Sequence, residues 1–144
     1  MNPALMAALS KIDFNFIIKS GIVIIALIFG LIIYKDLRKR SSGKSAIKEL
    51  DKDIDTNHLS YPRSYYGIWA QDVYRAVNGM GTDEQAVFDV FKKMKNKDDV
   101  LQLITSFGVK DGETLSQWLI GDLGEDDKET LNRLLSDKDI NYQF

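Results

Sequence analysis

Apolar residues recur at helical spacing through most of the chain. From Ser60 onward five sets each follow the i, i+3, i+4, i+7 template or most of it. They are Trp69, Val73, Ala76 and Val77; Val87, Val90, Phe91 and Met94; Val100, Leu103, Ile104 and Phe107; Leu115, Trp118 and Leu119; and Leu131, Leu134 and Leu135. Each set predicts a helix with one face in a core and polar residues outward. Asn96 and Asp111 occupy N-cap positions, and Gly108 and Gly124 occupy C′ positions. No segment alternates with period two, so no sheet is expected. Five short helices joined by a few residues predict a compact all-α domain over residues 61–144.

Residues 41–60 read as a linker. Ser41-Ser42-Gly43 predicts a helix break, and Ile47, Leu50 and Ile54 suggest one short amphipathic helix among charges. Residues 1–13 open with Pro3 at a possible first helical position and Leu5, Leu9 and Ile12 on one face. That pattern suits an interfacial or extramembrane segment.

Between these segments the pattern changes from amphipathic to apolar all round. Ser20 to Tyr34 carries no charge, and this stretch includes Ile22, Ile25, Leu27, Phe29 and Ile32. Fifteen residues make a helix of roughly 22 Å. A bilayer core is about 30 Å thick and needs around 20 residues. Extending back to Phe14 supplies that length, with Lys19 able to snorkel toward headgroups. Phe14 and Phe16 at one end and Tyr34 at the other are placed like interfacial aromatics. A buried core helix is a poor alternative, because nothing else in the chain is large enough to cover it. A cleaved signal peptide needs a small-residue site after the apolar run, and none follows Tyr34. Residues 14–40 are therefore expected to form a transmembrane helix with a basic flank.

Charge sharpens this picture. Residues 1–44 hold seven Lys/Arg against two Asp/Glu, a net of +5, and residues 45–144 hold twelve against nineteen, a net of −7. The flank Lys35, Arg38, Lys39 and Arg40 follows the span, which places the C-terminal domain on the cytoplasmic or interior side of a single-pass protein. An acidic domain is not expected to bind nucleic acid, because phosphate contacts need a basic face. The chain has no cysteine, so it carries no disulfide and no thiol nucleophile. His58 is the sole histidine, and without a second histidine it makes a poor metal site; it is expected to be a solvated linker residue.

The one loop with distinctive chemistry is Asn78-Gly79-Met80-Gly81-Thr82-Asp83-Glu84-Gln85. Its two glycines allow a sharp turn with φ > 0. Thr82 is expected to N-cap the next helix, with Gln85 at the reciprocal capping-box position. Glycines there also let carbonyls converge, as calcium requires.

Val77 to Glu84 resembles the signature of the annexin repeat, a Gly-x-Gly-Thr-Asp-Glu loop between two helices. The resemblance covers about residues 64–136, one repeat of five helices, where annexins usually have four repeats. It implies a calcium site made by the carbonyls of Val77, Gly79 and Gly81 with the side chain of Asp122, and through calcium a bridge to lipid phosphate. Asp122 is one methylene shorter than the glutamate usual in the family.

Without a thiol, a second histidine or a phosphate-cradling loop, an enzyme is not expected. Glu125-Asp126-Asp127 is explained by a helix macrodipole. The expectation is a membrane-anchored structural or scaffolding protein, without a resident cofactor, whose partners are a lipid bilayer and the other proteins of a larger assembly. A membrane-containing phage or virus particle and a bacterial envelope complex are the settings considered. The alternative is a calcium-dependent membrane-binding module.

Overall fold

The computed structural model describes residues 41–144, all within the second of the two units into which the chain divides, Arg38–Phe144. The expected segments 1–13 and 14–40 lie outside the described residues. Among the described residues no helix is long and apolar enough to cross a membrane.

The first described element contradicts the expected helix break. Helix α1 runs through Ser41-Ser42-Gly43 and covers residues 41–52. Gly43 is buried, and a Cβ there would stand 3.1 Å from Val109 Cγ2 and 3.5 Å from Thr114 Cγ2. The missing side chain lets the helix approach its neighbours, and that packing offsets a helix cost of about 1 kcal/mol for glycine. Ile47 and Leu50 continue the contact with the core, and Ile54 is buried beyond it. The expected linker therefore lies packed on the domain.

Five further helices follow, as the periodicity predicts, and the described residues are mostly helical. They are α2 (Arg63–Val77), α3 (Glu84–Phe91), α4 (Lys97–Phe107), α5 (Leu115–Asp122) and α6 (Glu125–Ser136). Pro62 precedes α2 with φ fixed near the helical value, suiting a helix start. Helix α4 is central: Val100, Leu101, Leu103, Ile104 and Phe107 are buried along it, and α2 lies against both α4 and α3. Asn96 caps α4 as expected, its side chain accepting from Asp99 N at 2.8 Å. Gly108 ends the same helix with φ +68°, where a left-handed residue is favoured.

Two other expected boundaries shift. Asp111 is not an N-cap. It and Gly112 have φ of +51° and +88° and form the turn of a small hairpin, β1 (Val109–Lys110) with β2 (Glu113–Thr114). The strands are antiparallel, with Val109 opposite Thr114 and Lys110 opposite Glu113. Asp-Gly is the sequence that favours positive φ at both central turn positions, and two-residue strands are too short to show alternation. The cap of α5 is Thr114, whose N–H donates to Gln117 Oε1 at 2.9 Å. Gly124 has φ −63° and caps the start of α6 instead of ending α5 with a left-handed turn.

The chain closes by returning to its core. Ile140 is buried, and Phe144 stands edge-on to Phe91 with ring centres 5.2 Å apart. Phe144 N donates to Asn132 Oδ1 at 2.9 Å, and Asn132 Nδ2 donates to Phe144 O at 3.1 Å. Lys138 Nζ donates to the carbonyls of Lys92 and Met94, just past α3, and burial lowers its pKa. A cation at a helix C-terminus is favoured by the helix dipole.

Candidate functional site

The glycine loop leaves α2 in steps that can be followed bond by bond. Asn78 N donates to Tyr74 O at 2.8 Å and ends the helix. Gly79 N then donates to Val77 O at 3.2 Å, and Asp83 N donates back to Ala76 O at 2.9 Å, closing the loop. Of the two glycines, Gly81 takes the left-handed conformation, φ +96°. Met80 is fully exposed at the tip.

The cap of α3 is Asp83, not Thr82. Asp83 Oδ1 accepts from Ala86 N at 2.9 Å. Asp83 outcompetes Thr82 because a carboxylate at a helix N-terminus gains from the dipole as well as the hydrogen bond. Gln85 does not complete a capping box; its Nε2 donates to Asp89 Oδ1 at 2.7 Å. Thr82 is freed for a long-range contact, and its Oγ1 donates to Asp122 O at 3.2 Å.

Thr82 therefore joins the loop to the end of α5, so Asp122 lies beside the glycine loop that precedes it by forty residues. Partial burial, and then the Glu113 carboxylate, raises the Asp122 carboxyl above the usual aspartate value. Of the four expected calcium ligands, Val77 O is already engaged by Gly79 N, while Gly79 and Gly81 are exposed. Among the described residues no three acidic, histidine or cysteine side chains group as a metal site. Calcium takes six to eight oxygens, with affinity set largely by carboxylate count. Three carbonyls and one carboxylate fit that demand only with several waters, so the geometry describes a braced turn more fully than a cation cage.

A second polar centre was not foreseen. Asp99 is fully buried at the start of α4. Its Oδ1 accepts from Ser60 N at 2.9 Å and from Tyr66 Oη, and its Oδ2 accepts from Lys95 N at 2.9 Å. Burial pushes this carboxyl up, but the bonds from Ser60, Tyr66 and Lys95 outweigh it and hold it below the ordinary value. Burial and then the Asp99 bond drive the Tyr66 phenol well above its ordinary range. Asn96 Nδ2 adds a bond to His58 O at 2.8 Å, and Asp98 Oδ1 accepts from Asp55 N at 2.9 Å. Arg63 Nε donates to the buried Gln102 Oε1 at 2.9 Å. Together these bonds clasp residues 55–63 onto α4. His58 is exposed, as expected, with Asp55 and Asp98 carboxylates at 3.6 and 3.7 Å. The sequence signal for the clasp was Asn96 followed three residues later by Asp99, a capping pattern whose second member turns inward.

No protein-family model matches the chain. No curated protein matches it, and no solved structure matches it. The resemblance to an annexin repeat behind a transmembrane helix is accordingly corrected. The Gly79–Glu84 signature has no family match to support it, and no apolar spanning helix is found among the described residues. The physical reason lies in the motif itself. A glycine with positive φ followed closely by a carboxylate cap serves a tight helix–turn–helix without any cation, and Gly81 and Asp83 fill those two roles here.

Proposed function

We propose that this chain is a single-pass, membrane-anchored structural or scaffolding protein of a larger assembly. The carrying observation is in the sequence: an uncharged run from Ser20 to Tyr34 is followed at once by Lys35, Arg38, Lys39 and Arg40. On this proposal residues 14–34 span a bilayer, and the acidic helical domain faces the cytoplasm or the particle interior, where it meets other proteins. A membrane-containing phage or virus particle or a bacterial envelope complex would supply such a setting. The domain's role is binding, without a catalytic step, a resident cofactor or nucleic acid. Support comes from the commitments of its polar side chains: Asp83 caps α3, Asp99 clasps residues 60–66 and Thr114 caps α5. Two measurements test the proposal. Alkaline carbonate should leave the chain in the membrane fraction, and protease added outside intact vesicles or particles should spare residues 41–144. Extraction by carbonate, or digestion of the domain without permeabilisation, would overturn it.

One observation favours a second reading, a calcium-dependent module: Thr82 Oγ1 holds Asp122 against the glycine loop. Bound calcium at one hundred times its dissociation constant would add about 2.7 kcal/mol of stability. Asp122→Asn would remove most of that gain. Equal melting temperatures with and without millimolar calcium would eliminate this reading.

A further inference from the structure

The end of α5, the outer face of α6 and Phe144 enclose a shallow dimple of about 550 Å³. Its apolar part is Ile120, which is 53% exposed, together with Phe144. Phe144 is held in place within this floor. Phe144 rests edge-on against Phe91 and is fixed by paired bonds to Asn132. The rim is acidic: Glu125, Asp126 and Glu129 line it with a single cation, Lys128. Lys128, whose side chain is largely covered and whose Nζ is bonded to Glu125, offsets one of the three carboxylates and leaves the rim negative through the other two.

Acidic residues in the first turn of a helix complement the dipole, and that accounts for Glu125 and Asp126 taken alone. It does not account for an isoleucine left half-exposed in a preformed hollow beside them. An apolar centre ringed by charge of one sign is complementary to a segment of the opposite charge with one apolar anchor.

We propose that this dimple docks a short basic segment of a partner protein. One large aliphatic or aromatic side chain enters between Ile120 and Phe144, and Lys or Arg on either side meets Glu125, Asp126 and Glu129. The face of α6 from Glu125 to Asn132 is roughly 10 Å long, which three or four extended residues cover. The rim's sign argues against anionic lipid and nucleic acid as occupants. The proposal rests on the scaffolding role above and names the kind of partner that role requires.

The test uses the full chain in uncharged detergent micelles. The probe is a fluorescein-labelled synthetic decapeptide with a central leucine flanked by four lysines, followed by fluorescence anisotropy. Saturable binding is expected, weakening with added salt. Ile120→Ser should weaken it by about tenfold or more, as expected for the central residue of a docking site. Replacing the probe's leucine with serine should do the same, and Glu125→Lys with Glu129→Lys should abolish binding. Ile120 is exposed, so the melting temperature of its variant should not move. Asp72→Asn, which removes a charge on α2, should leave affinity unchanged. Equal binding by Ile120→Ser, equal loss on Asp72→Asn, or preference for vesicles of anionic phospholipid would overturn the proposal. Carbonate extraction of the same variants reports the anchor separately, so peptide binding by an extractable chain would sink the anchoring while leaving the docking site standing.

Discussion

Asp99→Asn is the most informative single substitution in this domain. The buried carboxylate accepts three hydrogen bonds, two at Oδ1 from Ser60 N and Tyr66 Oη and one at Oδ2 from Lys95 N. An asparagine that keeps its oxygen toward Ser60 and Tyr66 turns its NH₂ toward the Lys95 N–H. One buried donor then loses its acceptor, at a cost of about 1–3 kcal/mol. The two remaining bonds lose the charge that makes such bonds roughly twice as strong as neutral ones. Together the loss should be about 2–4 kcal/mol, a large share of the roughly 5–15 kcal/mol typical of a domain. Thermal melts of the full chain in mild detergent, followed by the fluorescence of Trp69 and Trp118, should show it at roughly 4–8 °C per kcal/mol. The sign of the pH dependence follows from the lowered carboxyl of the folded state. Its stabilisation is complete above the unfolded value, near 3.8, and disappears as pH falls through the lower folded value. The gap between wild type and Asp99→Asn should therefore be full at neutral pH and narrow below about pH 4. A gap under about 1 kcal/mol, or one that persists undiminished in strong acid, would refute the clasp as described.

Four further substitutions probe other parts of the fold. Asp83→Ala should cost about 1 kcal/mol in urea unfolding as the cap of α3 is lost, whereas Thr82→Ala should cost about half as much for one exposed hydrogen bond; the reverse order would return the cap to Thr82. Phe91→Ala should cost about 3–5 kcal/mol and should also expose the amide of Phe144 to hydrogen exchange, since the two rings pack together; unchanged protection at Phe144 would show that the tail is held by Asn132 alone. Gly43→Leu forces a side chain where a Cβ already meets Val109 at 3.1 Å, and should speed amide exchange across residues 41–52 while residues 63–136 keep their protection; uniform protection would mean that α1 does not depend on that contact.

The helices of this domain were legible because each repeats an apolar face with period 3.6 over two or more turns. The faces of Val87, Val90 and Phe91 and of Val100, Leu103, Ile104 and Phe107 are buried where the spacing placed them. What escaped the pattern is short or non-local. A two-residue strand has no period to detect, although Asp111-Gly112 announced its turn. Gly43 looked like a helix breaker because its compensation, contact with Val109 and Thr114, lies some seventy residues away. Asp99 stands in the first turn of α4 beside Asp98, and no periodicity distinguishes the two; its inward bonds to Ser60 and Tyr66 depend on how residues 55–66 fold back. At the glycine loop the capping role was assigned one residue early, because threonine and aspartate are both good caps and the carboxylate gains from the helix dipole as well, leaving Thr82 to bond the Asp122 carbonyl.

The docking of α1 and the clasp at Asp99 have a consequence for reach. Twenty residues of free coil would let a domain wander about 25 Å from its point of attachment, by the square-root scaling of flexible chains. Residues 41–60 contribute none of that radius, because Gly43, Ile47, Leu50 and Ile54 are packed and Asp55 and Ser60 are bonded to α4. On the proposed anchoring, this stretch adds no slack to the tether, and a shorter tether raises the effective concentration toward neighbours within its span and lowers it toward those beyond. Releasing α1 would lengthen the leash and blur that selection by distance, with no binding residue altered.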